Sequence, residues 1–113
     1  MKKISKELTA ASSIPIVLSI LQQGETYGYE IIRKVSILSE GNVEWTDGML
    51  YPVLHKLEQK GFIQSEWRIA PETNRKRKYY QITSKGKKHL QSEQAQWRTM
   101  NNVFGKLWDI EST

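Results

Sequence analysis

Seven of the seventeen lysines and arginines in this 113-residue chain fall between residues 71 and 90. They are Arg75, Lys76, Arg77, Lys78, Lys85, Lys87 and Lys88, with Glu72 the one acid among them. Fixed cations at that density suit the neutralisation of closely spaced anions. Duplex nucleic acid is such a surface, because every phosphate that is paired releases bound counterions. Covalent and metal chemistry have far less to work with. The chain has no cysteine, which removes thiolate nucleophiles, disulfides and thiolate metal sites together. Its two histidines, His55 and His89, have no acid and hydroxyl at the spacing of a catalytic triad, and they are too few for a histidine metal site. No nucleophile elbow or phosphate-binding glycine loop occurs. The residues predict a binding protein, not an enzyme, with no metal and no cofactor.

A net charge of +5 and a pI near 9.5 agree with an anionic partner. With 38% hydrophobic and 26% charged residues the chain has the balance of a folded domain, and its length fits one. The longest apolar run, Ile14 to Leu21, falls short of the ~20 residues that span a bilayer. Lys2, Lys3 and Lys6 precede it as in a signal peptide, but Glu7 interrupts them and no small-residue cleavage pattern follows at Gln22 to Glu25. The expected location is the cytoplasm, with no membrane partner.

These residues need elements to hold them. Apolar spacing predicts a first helix over Lys6–Gln23, with Leu8, Ala11, Ile14, Val17, Leu18 and Leu21 on one stripe and Gly24 ending it. Thr26 is a suitable N-cap for a second helix to about Ser39, with Ile31, Ile32, Val35 and Leu38 inward. Leu50, Val53, Leu54 and Leu57 follow helical spacing up to Gly61. Pro52 fits best near a helix start at about Tyr51, whereas Thr46 is a good cap further back. Two strand-like runs, Phe62–Ile69 and Lys78–Thr83, flank a polar tip at Ala70–Lys76 and predict a hairpin. Gly86 weakens the start of a last helix over Lys87–Leu107, in which Leu90, Trp97, Met100, Phe104 and Leu107 recur at heptad spacing. Three helices, a basic two-stranded wing and a long C-terminal helix make a mainly α winged helix-turn-helix. Residues 1–83 form the DNA-binding part and 84–113 a C-terminal dimerisation helix and tail, since that apolar stripe is a large patch for so small a monomer.

Four stretches carry a more specific resemblance. Tyr27-Gly28-Tyr29-Glu30-Ile31, Gly48-Met49-Leu50-Tyr51-Pro52-Val53-Leu54-His55-Lys56-Leu57-Glu58, Gly61-Phe62-Ile63 and Arg77-Lys78-Tyr79-Tyr80-Gln81-Ile82-Thr83-Ser84-Lys85-Gly86 together resemble the PadR-like transcriptional repressors. The likeness covers about residues 8 to 107. It implies that the third helix begins at Thr46 or Asp47 and tolerates Pro52. The single short C-terminal helix resembles the smaller subfamily, whose members dimerise through that helix and the first. One departure lies at the wing tip, where many relatives carry Gly-Arg-Pro or Gly-Gly-Arg and this chain has Thr73-Asn74-Arg75-Lys76-Arg77.

The resemblance implies a homodimer that represses its own promoter and neighbouring genes from a pseudo-palindromic double-stranded operator, with half-sites about one helical turn apart. Thr46, Asp47, Gly48 and Met49 are expected at the major groove. Tyr51 and Lys56 are expected on phosphates, and Asn74, Arg75, Lys76, Arg77 and Lys78 on the DNA through the wing. Trp97 is similar to the tryptophan that multidrug-binding relatives present between subunits. A planar aromatic effector there is expected to meet Met100, Phe104, Leu107 and Leu90, which equally suit a closed dimer core. Two other classes stand beside this reading. Charge alone does not separate RNA from DNA, although the hairpin carries only Trp67 and Tyr79 to stack unpaired bases. The heptad helix also suits an interaction module with a different partner.

Overall fold

The apolar stripes come together around one core in the computed structural model, which describes residues 4–108. Helix α1 (Lys6–Gln23) begins at Ser5, whose hydroxyl accepts from the Leu8 N–H at 3.1 Å, and buries Val17, Leu18, Ile20 and Leu21. Helix α2 (Gly28–Leu38) contributes Ile31 and Val35. Helix α3 (Asp47–Gln59) contributes Leu50, Leu54 and Leu57, one stripe at helical spacing. Burial of each such side chain is worth about 2 kcal/mol. Trp45, just ahead of α3, completes this group. The third helix starts where the family likeness places it. Thr46 caps it by accepting from the Met49 N–H at 3.2 Å, and Pro52 is carried inside.

The wing consists of β2 (Ile63–Ala70) and β3 (Arg75–Ile82), antiparallel, with Ile63 opposite Ile82 and Ala70 opposite Arg75. The return strand begins three residues earlier than the sequence suggests. Asn74 takes a left-handed backbone (φ 57°), and its N–H donates to the Ala70 carbonyl at 2.8 Å. Asparagine tolerates that conformation, so the turn closes without a glycine. Arg75, Lys76 and Arg77 are therefore strand residues that alternate between faces instead of crowning a free tip.

A third strand, β1 (Thr26–Tyr27), pairs with β3 and gives the sheet order β1-β3-β2. Thr26 is thus not the cap of α2. It lies in the sheet, 7% exposed, and Tyr27 stands at the helix start with no side-chain cap. Leu38 is also misplaced by periodicity: it is 75% exposed because α2 ends there and turns away from the core.

Helix α4 (Ser84–Trp108) starts earlier than Lys87, and Gly86 explains why. A Cβ on Gly86 would lie 2.0 Å from the Phe62 carbonyl oxygen and 2.8 Å from Ile82. The glycine lets the first turn of α4 press onto the base of the wing. Thr83 fastens the junction. Its N–H donates to the Phe62 carbonyl at 3.0 Å, its hydroxyl donates to the Gly61 carbonyl at 2.6 Å, and the Thr83 hydroxyl oxygen accepts from the Gly86 N–H at 3.1 Å. Leu90, one turn on, is 1% exposed within the chain's own core, so it does not belong to an exposed C-terminal stripe. Beyond it α4 leaves the core, and Met100, Val103, Leu107 and Trp108 are exposed. Phe104 stacks on Trp108 with ring centroids 4.5 Å apart.

Gly86→Ala is expected to destabilise the fold by about 3 kcal/mol, because backbone and not a side-chain tip must give way. Gly48→Ala is the control: a Cβ there meets only the Thr46 hydroxyl at 3.9 Å. Thermal unfolding should show a large fall for the first and none for the second.

Candidate nucleic-acid interface

The alternation of the wing sorts its basic residues into two sets. On one face stand the cross-strand pairs Trp67–Lys78 and Ile69–Lys76, continuing the row that buries Ile63 and Tyr80 nearer the core. On the other stand Arg68 opposite Arg77, with Glu66 opposite Tyr79. On the second face Arg68 and Arg77 are paired within the chain, while Arg75, at its outer end, has no ion pair among the described residues. Arg68 donates to Glu25 at 2.9 Å and to Glu66 at 2.9 Å, and its guanidinium lies 5.0 Å from the centre of the Tyr79 ring. Arg77 pairs with Glu72 and lies 4.2 Å over the Tyr27 ring. Tyr27 meets Tyr79 edge-on at 5.6 Å.

These contacts shift the titrations. The Arg68 hydrogen bond holds the Glu25 carboxyl below its ordinary range, and the same contact raises Arg68. Glu72 is lowered by its own backbone N–H and then by Arg77. Burial works against the charge of Arg77, but Tyr79 and Glu72 favour it and the net shift is upward. Two of the wing's arginines are thus ion-paired within the chain.

The first face opens on a cleft of about 560 Å³ lined by Tyr27, Gly28, Tyr29, Tyr51, Trp67, Lys76, Arg77, Lys78 and Tyr80. It joins the wing to the start of α2 and the first turns of α3. Tyr51 is 46% exposed at its edge. Its ring lies on Gly28, where a Cβ would come within 2.7 Å of the Tyr51 hydroxyl oxygen. Glycine at that position lets the phenol reach the α2 N-terminus, whose free N–H groups favour an anion. Lys78 extends over the cleft, 6.0 Å from the Trp67 ring centre and 5.8 Å from that of Tyr80. Its ion pair with Glu58 is long, at 3.9 Å, and half-exposed, so it holds the ammonium weakly. Burial pushes the Tyr80 phenol up to about 12. No ion pair among the described residues engages Arg75 or Lys76, and both are exposed.

The residues singled out from sequence thus fall in different places. Tyr51, Lys76, Arg77 and Lys78 share the cleft. Asn74 and Arg75 stand at the hairpin turn beyond it. Thr46, Asp47 and Gly48 are exposed at the start of α3, with the Thr46 hydroxyl engaged as the cap. Met49 and Lys56 face the other way. They line a cavity of about 520 Å³ against α1 with Ile4, Lys6, Ile14 and Val53, and Met49 is half-buried. Trp67 and Tyr79 lie on opposite faces of the sheet. His55 is exposed, and His89 stacks on Phe62 at 4.3 Å and faces Glu93 at 3.3 Å. No group of three or more histidine, cysteine, aspartate and glutamate residues among the described residues gathers as a metal would require.

Sequence reasoning missed the Arg68–Glu25 tie, the Gly28–Tyr51 contact and Trp45. The first two join segments far apart in the chain, which no local pattern signals. Trp45 precedes its helix and lies outside the helical stripe.

The family model described as the transcriptional regulator PadR-like family matches residues 17–92. An uncharacterized protein of Lysinibacillus sphaericus is 31% identical over 89 residues, 79% of this chain and 81% of that protein. Two solved structures are similar with a TM-score of 0.80. A transcriptional regulator from Clostridium thermocellum is 28% identical and covers 89% of this chain and 97% of its own. A PadR-like transcriptional regulator from Bacillus cereus is 26% identical, covering 94% and 100%.

Loss of the two unpaired cations, in the variant Arg75→Ala/Lys76→Ala, is expected to lower the slope of log affinity for duplex DNA against log salt by about two. Arg77→Ala should leave that slope nearly unchanged and lower the thermal midpoint instead. A slope flattened equally by Arg77→Ala would contradict the pairing of Arg77 with Glu72 inside the chain.

Proposed function

Since the chain belongs to the PadR-like family of transcriptional regulators and so is a DNA-binding regulator, we propose that it is a homodimeric repressor of its own promoter and neighbouring genes, acting in the cytoplasm. The observation that carries this reading is the cleft itself. It puts Lys76 and Lys78 of the wing, Tyr51 and the start of α2 on one side of the molecule, next to the exposed first turn of α3. In the proposed complex Thr46, Asp47 and Gly48 meet base edges in the major groove. Tyr51, Lys76 and Lys78 take phosphates, and Asn74 and Arg75 follow the backbone beyond the wing turn. Met49 lends the helix its packing, and Lys56 reaches a phosphate only from the α1 side. An exposed aromatic-basic cleft also suits unpaired RNA, but the family is one of transcriptional regulators, which supports duplex DNA.

The second copy is argued from α4. Met100, Val103, Leu107 and Trp108 are 46%, 42%, 72% and 63% exposed, an apolar face that no described residue of the same chain covers. A two-fold pairing through this face and α1 gives two recognition helices and hence a pseudo-palindromic operator. Sedimentation should give a dimer at micromolar concentration, and nuclease protection upstream of the protein's own gene should show two half-sites about one helical turn apart. A monomer that protects a single half-site would overturn the proposal.

A planar aromatic effector is the remaining part of the reading. Trp97 is half-buried and borders two shallow cavities between α1 and α4, of about 340 and 270 Å³, the smaller also lined by Met100. A flat ligand against the indole, within reach of Met100, Phe104 and Leu107 of either copy, gains stacking and apolar burial. It weakens repression if it binds the two dimer arrangements unequally. Titration with planar aromatic compounds should show binding that Trp97→Ala abolishes while the protein stays a dimer. Undiminished binding by that variant would remove the effector site.

A further inference from the structure

We propose that Trp67 is a contact for the sugar–phosphate backbone of duplex DNA, its indole lying against a deoxyribose whose neighbouring phosphate is held by Lys78 and the Tyr51 hydroxyl. The inference rests on the reading of the cleft as the DNA-binding surface, and adds to it a residue and a mode of contact.

Trp67 is 63% exposed in the middle of an eight-residue strand, and Ile69, two residues on and on the same face, is 61% exposed. Among the described residues nothing covers them. Left in water, two large apolar side chains on one ladder give up burial that the strand could have gained elsewhere. Their cross-strand partners are Lys78 and Lys76. The face therefore carries an apolar row on β2 and a cationic row on β3, about 5 Å apart. A nucleic-acid strand presents the same two kinds of surface in alternation, sugar faces that are apolar and phosphates that are anionic. Lys76 and Lys78 stand about 7 Å apart along β3, a spacing that serves successive phosphates of one strand.

The position of Lys78 favours a sugar over an unpaired base as the partner of the indole. Its ammonium sits 6.0 Å from the Trp67 ring centre and 5.8 Å from that of Tyr80, so it occupies one face of the tryptophan. A base stacked there must displace the cation from two rings. A deoxyribose along the uncovered part of the indole leaves the ammonium in place, beside the phosphate it attracts. Glu58 does not compete strongly. Its carboxylate accepts the Ser65 hydroxyl at 2.5 Å and is 3.9 Å from Lys78, so Ser65 retains it when the ammonium turns outward.

The test compares Trp67→Ala and Trp67→Phe with the unaltered protein on a duplex from its own promoter and on a scrambled duplex, over a range of salt. Because the side chain is largely exposed, both variants should keep the thermal midpoint. Trp67→Ala should weaken binding to both duplexes by about tenfold, since a sugar contact carries no base information. Trp67→Phe should retain most of the affinity. The salt slope should be unchanged in both, whereas Lys78→Ala should lose about one unit of it. The quenching of tryptophan emission on DNA binding should disappear in Trp67→Phe, although Trp45, Trp97 and Trp108 remain. Full affinity of Trp67→Ala would overturn the inference. If Lys78→Ala and Tyr51→Phe also bound as the unaltered protein does, the reading of the cleft would fall with it. A loss accompanied by a flatter slope would make Trp67 a support for Lys78 and not a sugar contact. Tighter binding of a single-stranded or RNA oligonucleotide of the same sequence, with quenching that depends on Trp67, would overturn it in favour of base stacking.

Discussion

The missing side chain of Gly86 sets the geometry of the molecule. Three elements meet at the Phe62 carbonyl: α3 ends just before it, β3 returns beside it, and the first turn of α4 lies on it. Thr83 bonds to both sides of that meeting point through its N–H and its hydroxyl. A wing anchored only by its own ladder would be a two-stranded ribbon, which is marginal in water. Fastened at its base and flanked by β1, it becomes a rigid projection whose angle to α3 is fixed. The cleft between wing and recognition helix exists only because that angle is held.

The same economy of contact governs charge. The hairpin carries more cations than the cleft takes up, and carboxylates of the chain hold some of them. Glu25, Glu66 and Glu72 absorb Arg68 and Arg77, with Tyr27 and Tyr79 under the guanidinium groups. Arginine is suited to that role because its planar group stacks and bonds at once. The lysines, which bind as mobile point charges, are left on the face that joins α3. The paired arginines also tie Glu25, ahead of β1, across β3 to β2, so neutralisation and stiffening of the sheet are one set of contacts. A basic segment read only as a sum of charges overstates what it offers to a ligand.

Much of this was legible in the sequence, and the failures have physical causes. The helices of the core follow from apolar spacing, since Val17, Leu18 and Leu21, Ile31 and Val35, and Leu50, Leu54 and Leu57 are buried as periodicity requires. The wing and the start of α3 at the Thr46 cap follow from turn and cap chemistry with the family likeness. Periodicity failed at ends. It cannot tell where a helix leaves the core, so it puts Leu38 inside and Leu90 on an outer stripe, whereas Leu38 is exposed and Leu90 buried. The residue pattern starts the return strand at Lys78, whereas it begins at Arg75, because Asn74 supplies a left-handed turn in the absence of glycine. Gly86 read as a weak helix start because its reason is a contact with Phe62, distant in sequence. Of the candidate site, residue types were legible and partners were not: which cations are paired is decided by Glu25, Glu58, Glu66 and Glu72, and the contacts of Glu25 and Glu58 join segments far apart in the chain.

Helix α4 links the two regions by a simple mechanical fact. Its first turns are locked to the wing base through Gly86 and to the core through Leu90, while its distal half stands clear. At about 1.5 Å per residue, the 25 residues extend it to roughly 37 Å. Along its inner side the indole N–H of Trp97 donates to Glu93 at 3.2 Å, Glu93 faces His89 at 3.3 Å, and His89 stacks on Phe62. Phe62 is the residue whose carbonyl receives the helix. The close fit of Gly86 at the clamped end therefore fixes the direction in which the exposed half of α4 leaves the wing base.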